Sequence, residues 1–249
     1  MSRFGSMEDR NRVEAEMRYE DRPLPRTIYS FLTATAERFP DRPALSFQLL
    51  SGERDHARTL NWRELHERVT ETANLFRSLG IGPTDTVAYL LPNSLETPVV
   101  LLAGATAGIV NPINPLLDAE QIAGILRETR ARVLVTLKAF PRTDVAQKAA
   151  EAVAQAPNVT HLIEIDLNRH LTGLKKFIVP LARLRVTVSD HAEVMYFEAA
   201  TRAKKHNSLM FDDPPQDRVS AYFHTGGTTG TPKLAQHLYS WMIYNGWLG

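Results

Sequence analysis

Tyr222-Phe223-His224-Thr225-Gly226-Gly227-Thr228-Thr229-Gly230-Thr231-Pro232-Lys233 is the stretch on which the reading of this chain turns. The apolar positions Val219, Ala221 and Phe223 predict a strand, which runs into a loop dense in Gly and Thr and closing on Pro232-Lys233. Glycine leaves the backbone N–H groups unhindered, four threonines add hydroxyls, and Lys233 adds an ammonium. That donor set suits a polyphosphate. It is not a Walker A loop, which needs Gly-Lys-Ser/Thr where this chain has Pro232-Lys233, and it is not a dinucleotide fingerprint. The other glycine pair, Gly80-Ile81-Gly82-Pro83-Thr84-Asp85, lacks a third glycine and runs from helix to strand, so it reads as a helix cap and turn.

Upstream, helices and strands alternate. Pro23 and Pro25 introduce a helix with Ile28, Phe31, Leu32, Thr35 and Phe39 at helical spacing, and a strand follows at Ala44–Phe47. Trp62, Leu65, Val69, Ala73, Phe76 and Leu79 form one stripe, with Asn61 as N-cap, Glu64 three residues on and Gly80 as an αL C-cap. Strands are expected at Val87–Leu91, Arg132–Thr136 and His161–Ile165. Helices are expected at Glu96–Ala107, after Asp118 with Gln121 closing its cap, and at Asp144–Ala156. The apolar Ile109-Val110 and a Pro-Asn-rich turn at Asn111–Pro115 lie between. This alternation predicts an α/β fold with parallel-rich sheets and flanking helices.

Composition narrows the function. The chain has 249 residues, a net charge of +1 and no cysteine. The charge balance gives no case for nucleic acid, and the missing thiols exclude disulfides, thiolate catalysis and Cys-ligated zinc. These features agree with a cytoplasmic protein. The charged N-terminus has no signal-peptide core, and the apolar run Val99–Val110 is too short for a membrane span and reads as core. The eight histidines show no metal-ligand spacing, and Asp212-Asp213 reads as a linker. The basic segment Lys175-Lys176 to Arg183 and Arg185 reads first as a solvated face, with peripheral lipid contact as the second reading.

The order Thr225-Gly226-Gly227-Thr228-Thr229-Gly230-Thr231-Pro232-Lys233 resembles the signature of the adenylate-forming superfamily, the AMP-dependent synthetases and ligases. Thr59-Leu60-Asn61-Trp62-Arg63-Glu64-Leu65, Leu79-Gly80-Ile81-Gly82-Pro83-Thr84-Asp85-Thr86-Val87-Ala88, Leu91-Pro92-Asn93-Ser94 and Gly108-Ile109-Val110-Asn111-Pro112-Ile113-Asn114-Pro115 resemble further motifs of that family, in the same order. The resemblance covers about residues 25–237 and looks most like the fatty-acid or acyl-CoA synthetase branch.

The resemblance implies the N-terminal portion of the large domain of an acyl-CoA synthetase. It implies an incomplete adenylation domain at 23–249 with no C-terminal domain, while residues 1–22 read from their charge as a flexible tail and about 166–214, basic and irregular, as a variable insertion or a set of surface elements. It implies ATP, Mg²⁺ and coenzyme A as cofactors and a fatty-acid or other carboxylate substrate. Thr225, Gly226, Gly227, Thr228, Thr229, Gly230 and Lys233 would hold the ATP phosphates, and none of them is a nucleophile or general base. The family's Tyr-Gly-x-Thr-Glu and Thr-Gly-Asp motifs do not occur here, so the chain is expected to be inactive alone. The alternative is a non-catalytic nucleotide- or protein-binding product. The family's Thr/Ser-His pair after the loop is replaced by Leu238-Tyr239, and His237 reads first as a surface or core residue, with a site role as the second reading.

Overall fold

The computed structural model describes residues 6–17, 21–50, 52, 57–224 and 233–248. Strands β1 (Pro43–Phe47) and β2 (Arg58–Asn61) form a small antiparallel pair. Seven strands make the main sheet: β3 (Thr86–Leu90), β4 (Ile109–Pro112), β5 (Ala131–Leu137), β6 (His161–Ile165), β7 (Glu193–Tyr196), β8 (Val219–His224) and β9 (Leu234–Leu238). Their order is β7-β6-β5-β3-β4-β8-β9, parallel throughout except for β9, which pairs antiparallel with β8. The central strands have their faces covered. All five residues of β3 are buried, as a parallel strand between helical layers requires.

The helices are α1 (Met7–Glu16), α2 (Ile28–Arg38), α3 (Trp62–Ser78), α4 (Glu96–Ala107), α5 (Ala119–Glu128), α6 (Val145–Ala154), α7 (Lys175–Ile178), α8 (Phe197–Arg202) and α9 (Tyr239–Leu248). Helices α2, α3 and α4 pack together, with α8 on α3, while α5 packs on α6. The chain reverses direction along the sheet after β4, and right-handed crossovers then place α4 and α5 on opposite faces. The core runs between these layers through Val69, Phe76, Val87, Leu90, Val100, Val133, Leu134 and Ile163.

Local signals set the boundaries. Asn61 accepts from the Glu64 N–H while Glu64 accepts from that of Asn61, and Asp118 with Gln121 does the same. Thr27 and Ser30 form a third such box, ahead of α2. Helix α3 ends in a Schellman motif: Gly80 at φ +80° bonds Arg77, and Ile81 bonds Phe76.

Four features differ from the expectation. Met7–Glu16, read as tail, is a helix capped by Ser6 with none of its described side chains buried. Ile109-Val110 belongs to strand β4, and β9 supplies an antiparallel edge that its weak pattern did not announce. Segment 166–214 is more than a surface excursion, because its β7 extends the parallel sheet and its α8 buries Phe197 and Ala200. The short, largely exposed β7 gave little periodicity to read.

Candidate functional site

The carboxyl edge of a parallel sheet is where open α/β folds bind ligands. Strand β8 runs parallel to β4 and delivers its last residue, His224, to that edge. His224 pairs across the hairpin with Leu234, the first residue of β9. The nine intervening positions, 225–233, therefore leave and re-enter the sheet at one point. Of the predicted phosphate ligands, Thr225, Gly226, Gly227, Thr228, Thr229 and Gly230 lie outside the described residues. Lys233 is described, exposed, and placed at the foot of β9. Because the loop joins two strands, no helix N-terminus follows it directly to hold an anion.

The mouth of the hairpin is fixed by a residue the sequence reading passed over. Asn111, fully buried on β4, donates from Nδ2 to the Tyr222 carbonyl at 3.0 Å and lies 3.5 Å from His224 Nδ1. Its Oδ1 is buried without a partner. On the other side of the imidazole, His224 Nε2 is 3.9 Å from Glu128. Burial lowers the His224 pKa, and the Glu128 charge opposes that shift only in part. The signal was available: a lone amide amid Ile109, Val110 and Pro112 is a buried polar group that demands a partner.

The open end of the same hairpin is anchored to helix α4. Four carbonyls at the helix C-terminus, Ala105 to Gly108, all receive guanidinium donors. Arg218 reaches Gly108 at 2.7 Å, Ala105 at 2.9 Å and Thr106 at 3.0 Å, and Arg77 reaches Ala107 at 3.1 Å. A helix C-terminus carries partial negative charge and unmet carbonyls, so two cations are well placed there. Arg218 immediately precedes β8, and Tyr239 immediately follows β9. The Tyr239 hydroxyl accepts from Arg218 and donates to the Ala105 carbonyl at 3.0 Å. Asp213, bonded by the Thr27 hydroxyl, completes the cluster. Burial pushes the Tyr239 and Asp213 pKa values up and that of Arg218 down, with their mutual attraction opposing each shift in Asp213 and Arg218. Thus Asp213, read as a linker residue, is a half-buried member of the anchor.

His237 lies on β9 with its ring edge-on to Phe223 and Trp241, at centroid distances of 4.9 and 6.3 Å, as a packing residue would. A polar cleft of about 380 Å³ lies elsewhere, lined by Arg58, Glu64, Arg68, Glu71, Glu198 and Arg202. It shares no residue with the hairpin and is not the candidate site. Among the described residues no three His, Cys, Asp or Glu side chains gather as a metal site.

Fold and loop together define a class: a parallel α/β sheet that offers a Gly/Thr-rich, lysine-closed hairpin loop at its carboxyl edge. Residues 32–248 match the AMP-binding enzyme family, and the chain belongs to that family. It is 30% identical over 221 residues to a marinolic acid–CoA ligase of Pseudoalteromonas sp. (strain SANK 73390), covering 88% of this chain and 30% of that protein. It is 29% identical over 222 residues to a long-chain-fatty-acid–CoA ligase of Bacillus subtilis (strain 168), covering 85% of this chain and 36% of the relative. The chain therefore spans about a third of the length of these relatives.

Solved structures agree on the fold. The anthranilate CoA ligase AuaEII in complex with anthranoyl-AMP superposes with a TM-score of 0.67 at 19% identity, over 90% of this chain and 37% of the other. The adenylation domain of a carboxylate reductase from Mycobacterium chelonae gives a TM-score of 0.65 at 20% identity, over 90% and 36%.

Proposed function

We propose that this chain is the phosphate-binding N-terminal portion of an ATP-dependent acyl-CoA synthetase. In the reaction a carboxylate oxygen attacks the α-phosphorus of ATP, and the bond to the β-phosphate oxygen breaks to release pyrophosphate. The coenzyme A thiol then attacks the acyl carbonyl, loses its proton, and displaces AMP to leave the thioester. Both partners of the first step are anions, so catalysis depends on neutralising and positioning charge.

The chain's own contribution is binding. Gly226, Gly227 and Gly230 let backbone N–H groups approach the β- and γ-phosphates, Thr225, Thr228 and Thr229 donate hydroxyls, and Lys233 attracts the pyrophosphate. The observation that carries this reading is the placement of the loop's two ends, His224 and Leu234, together at the carboxyl edge beside β4. Magnesium would travel with the nucleotide and neutralise part of its charge.

Because the chain spans about a third of its relatives, the full reaction is assigned to a longer protein. ATP–pyrophosphate exchange tests the division of labour. The 249-residue chain is expected to show none with any fatty acid, while a protein extended through the missing portion shows carboxylate-dependent exchange. Robust exchange by the chain alone, or none by the extended protein, contradicts the reading.

A further inference from the structure

Five large apolar side chains stand in solvent within eleven residues after β6: Leu174, Phe177, Ile178, Leu181 and Leu184, each between 58% and 87% exposed. The first four follow the i, i+3, i+4, i+7 spacing of a single helical face across α7 and the 3₁₀ turn Val179–Ala182. In most surface helices that stripe faces the core. Here it faces out, and Val179 and Arg183 turn inward. The segment is held in this attitude by an ion pair between Arg183 and Asp166, and by Asn168, whose amide donates to the Lys176 carbonyl at 3.1 Å.

Charge indicates what covers the face. Lys175, Lys176 and Arg185 flank it in exposed positions, and no carboxylate occurs between Asp166 and Asp190. A two-fold contact between copies would set these cations against their own equivalents. A surface that is apolar beneath and anionic above satisfies both sets of groups, and an anionic bilayer interface is such a surface. Among the described residues no helix is long and apolar enough to cross a membrane.

We propose that Leu174–Arg185 docks this protein on anionic lipid, seating Leu174, Phe177, Ile178 and Leu181 at the acyl boundary and Lys175, Lys176 and Arg185 among the headgroups. Docking requires no nucleotide, so it stands or falls apart from the phosphate site.

Co-sedimentation of the chain with vesicles decides it, using phosphatidylcholine alone and phosphatidylcholine mixed with phosphatidylglycerol, at low and high salt. The chain is expected to bind the mixed vesicles about tenfold or more better than the neutral ones, and to lose that preference in high salt. Phe177→Glu with Leu181→Glu is expected to weaken binding at least about tenfold. Lys175→Glu with Lys176→Glu is expected to remove the preference for phosphatidylglycerol. All four side chains are exposed, so unchanged unfolding midpoints serve as the folding control. No binding to the mixed vesicles, or equal binding by parent and variants, overturns the proposal. So does a dimer in light scattering that the Phe177→Glu/Leu181→Glu change dissociates, because the face would then belong to a second copy.

Discussion

His170 donates from Nε2 to the carboxylate of Glu96, at 3.0 and 3.2 Å from its two oxygens, across 74 positions of sequence. The two side chains are 2% and 0% exposed. Glu96 opens α4 after β3, and His170 ends the turn after β6, so the pair ties together two loops at the carboxyl edge of the sheet. Arg169 adds its charge 3.4 Å from Glu96 and also pairs with Glu198 of α8. Segment 166–214 is thereby locked to the body of the domain.

This pair predicts a defined acid sensitivity. Burial alone would raise the Glu96 pKa, but the His170 bond and the His170 and Arg169 charges outweigh it and hold the carboxyl at about 2, against an ordinary 4.5. A depressed carboxyl contributes stability that is complete above pH 4.5 and lost as pH falls toward 2. Urea midpoints measured across that window should fall for the parent chain and fall less steeply for Glu96→Gln. At neutral pH, His170→Ala strands a buried carboxylate and should cost about 3 kcal/mol. Equal acid slopes in parent and Glu96→Gln would remove Glu96 from the account.

Arg218→Met should destabilise the fold by about 2 kcal/mol in denaturant titrations, since it strips donors from three carbonyls of α4 and leaves Asp213 less compensated. The same change should loosen the base of the β8–β9 hairpin, read as faster amide exchange at Tyr239, whose N–H bonds the Arg218 carbonyl at 3.0 Å. A loss below about 0.5 kcal/mol would mean that the anchor contributes little.

Two glycines should respond in opposite ways to alanine. At Gly108 a Cβ would meet the Asp85 carbonyl oxygen at 2.4 Å and that of Gly82 at 2.8 Å, both backbone atoms in a tight turn. Gly108→Ala should therefore cost about 3 kcal/mol or prevent folding. At Gly124, inside α5, nothing lies within 4 Å of the added carbon. Gly124→Ala should stabilise by up to about 1 kcal/mol, and thermal unfolding of the two variants checks both signs.

The parts of this fold that could be read in advance are those settled within a few residues. Asn61 with Glu64, Asp118 with Gln121, and Gly80 each complete their bonds within one turn of chain. The family resemblance carried by residues 225–233 was legible for a related reason, because it lies in the order of the residues. Arg218 was not legible: its partners Ala105 and Gly108 are 113 and 110 positions away, and an isolated Arg before a strand carries no local sign of them. Strands β7 and β9 escaped because edge strands are half-solvated and lose the apolar run that marks central ones. Asn111 was quoted in a motif, yet its role depends on β8 lying beside β4, which no neighbouring residue announces.

Asn111→Leu should show whether the hairpin mouth matters to the loop. The change removes the donor to the Tyr222 carbonyl and should cost about 1–2 kcal/mol of stability. It should also weaken pyrophosphate binding while leaving Lys233 in place. Intact binding with lowered stability would confine Asn111 to the core.

The central claim is that the loop at 225–233 binds the phosphates of ATP. Calorimetric titration of the chain with magnesium pyrophosphate and with magnesium ATP tests it most directly, alongside Lys233→Ala. The account predicts saturable binding of both ligands and a loss of about tenfold in the variant, the equivalent of one charge-assisted hydrogen bond, with the unfolding midpoint unchanged. No binding by the parent chain, or equal affinity in parent and variant, would contradict it.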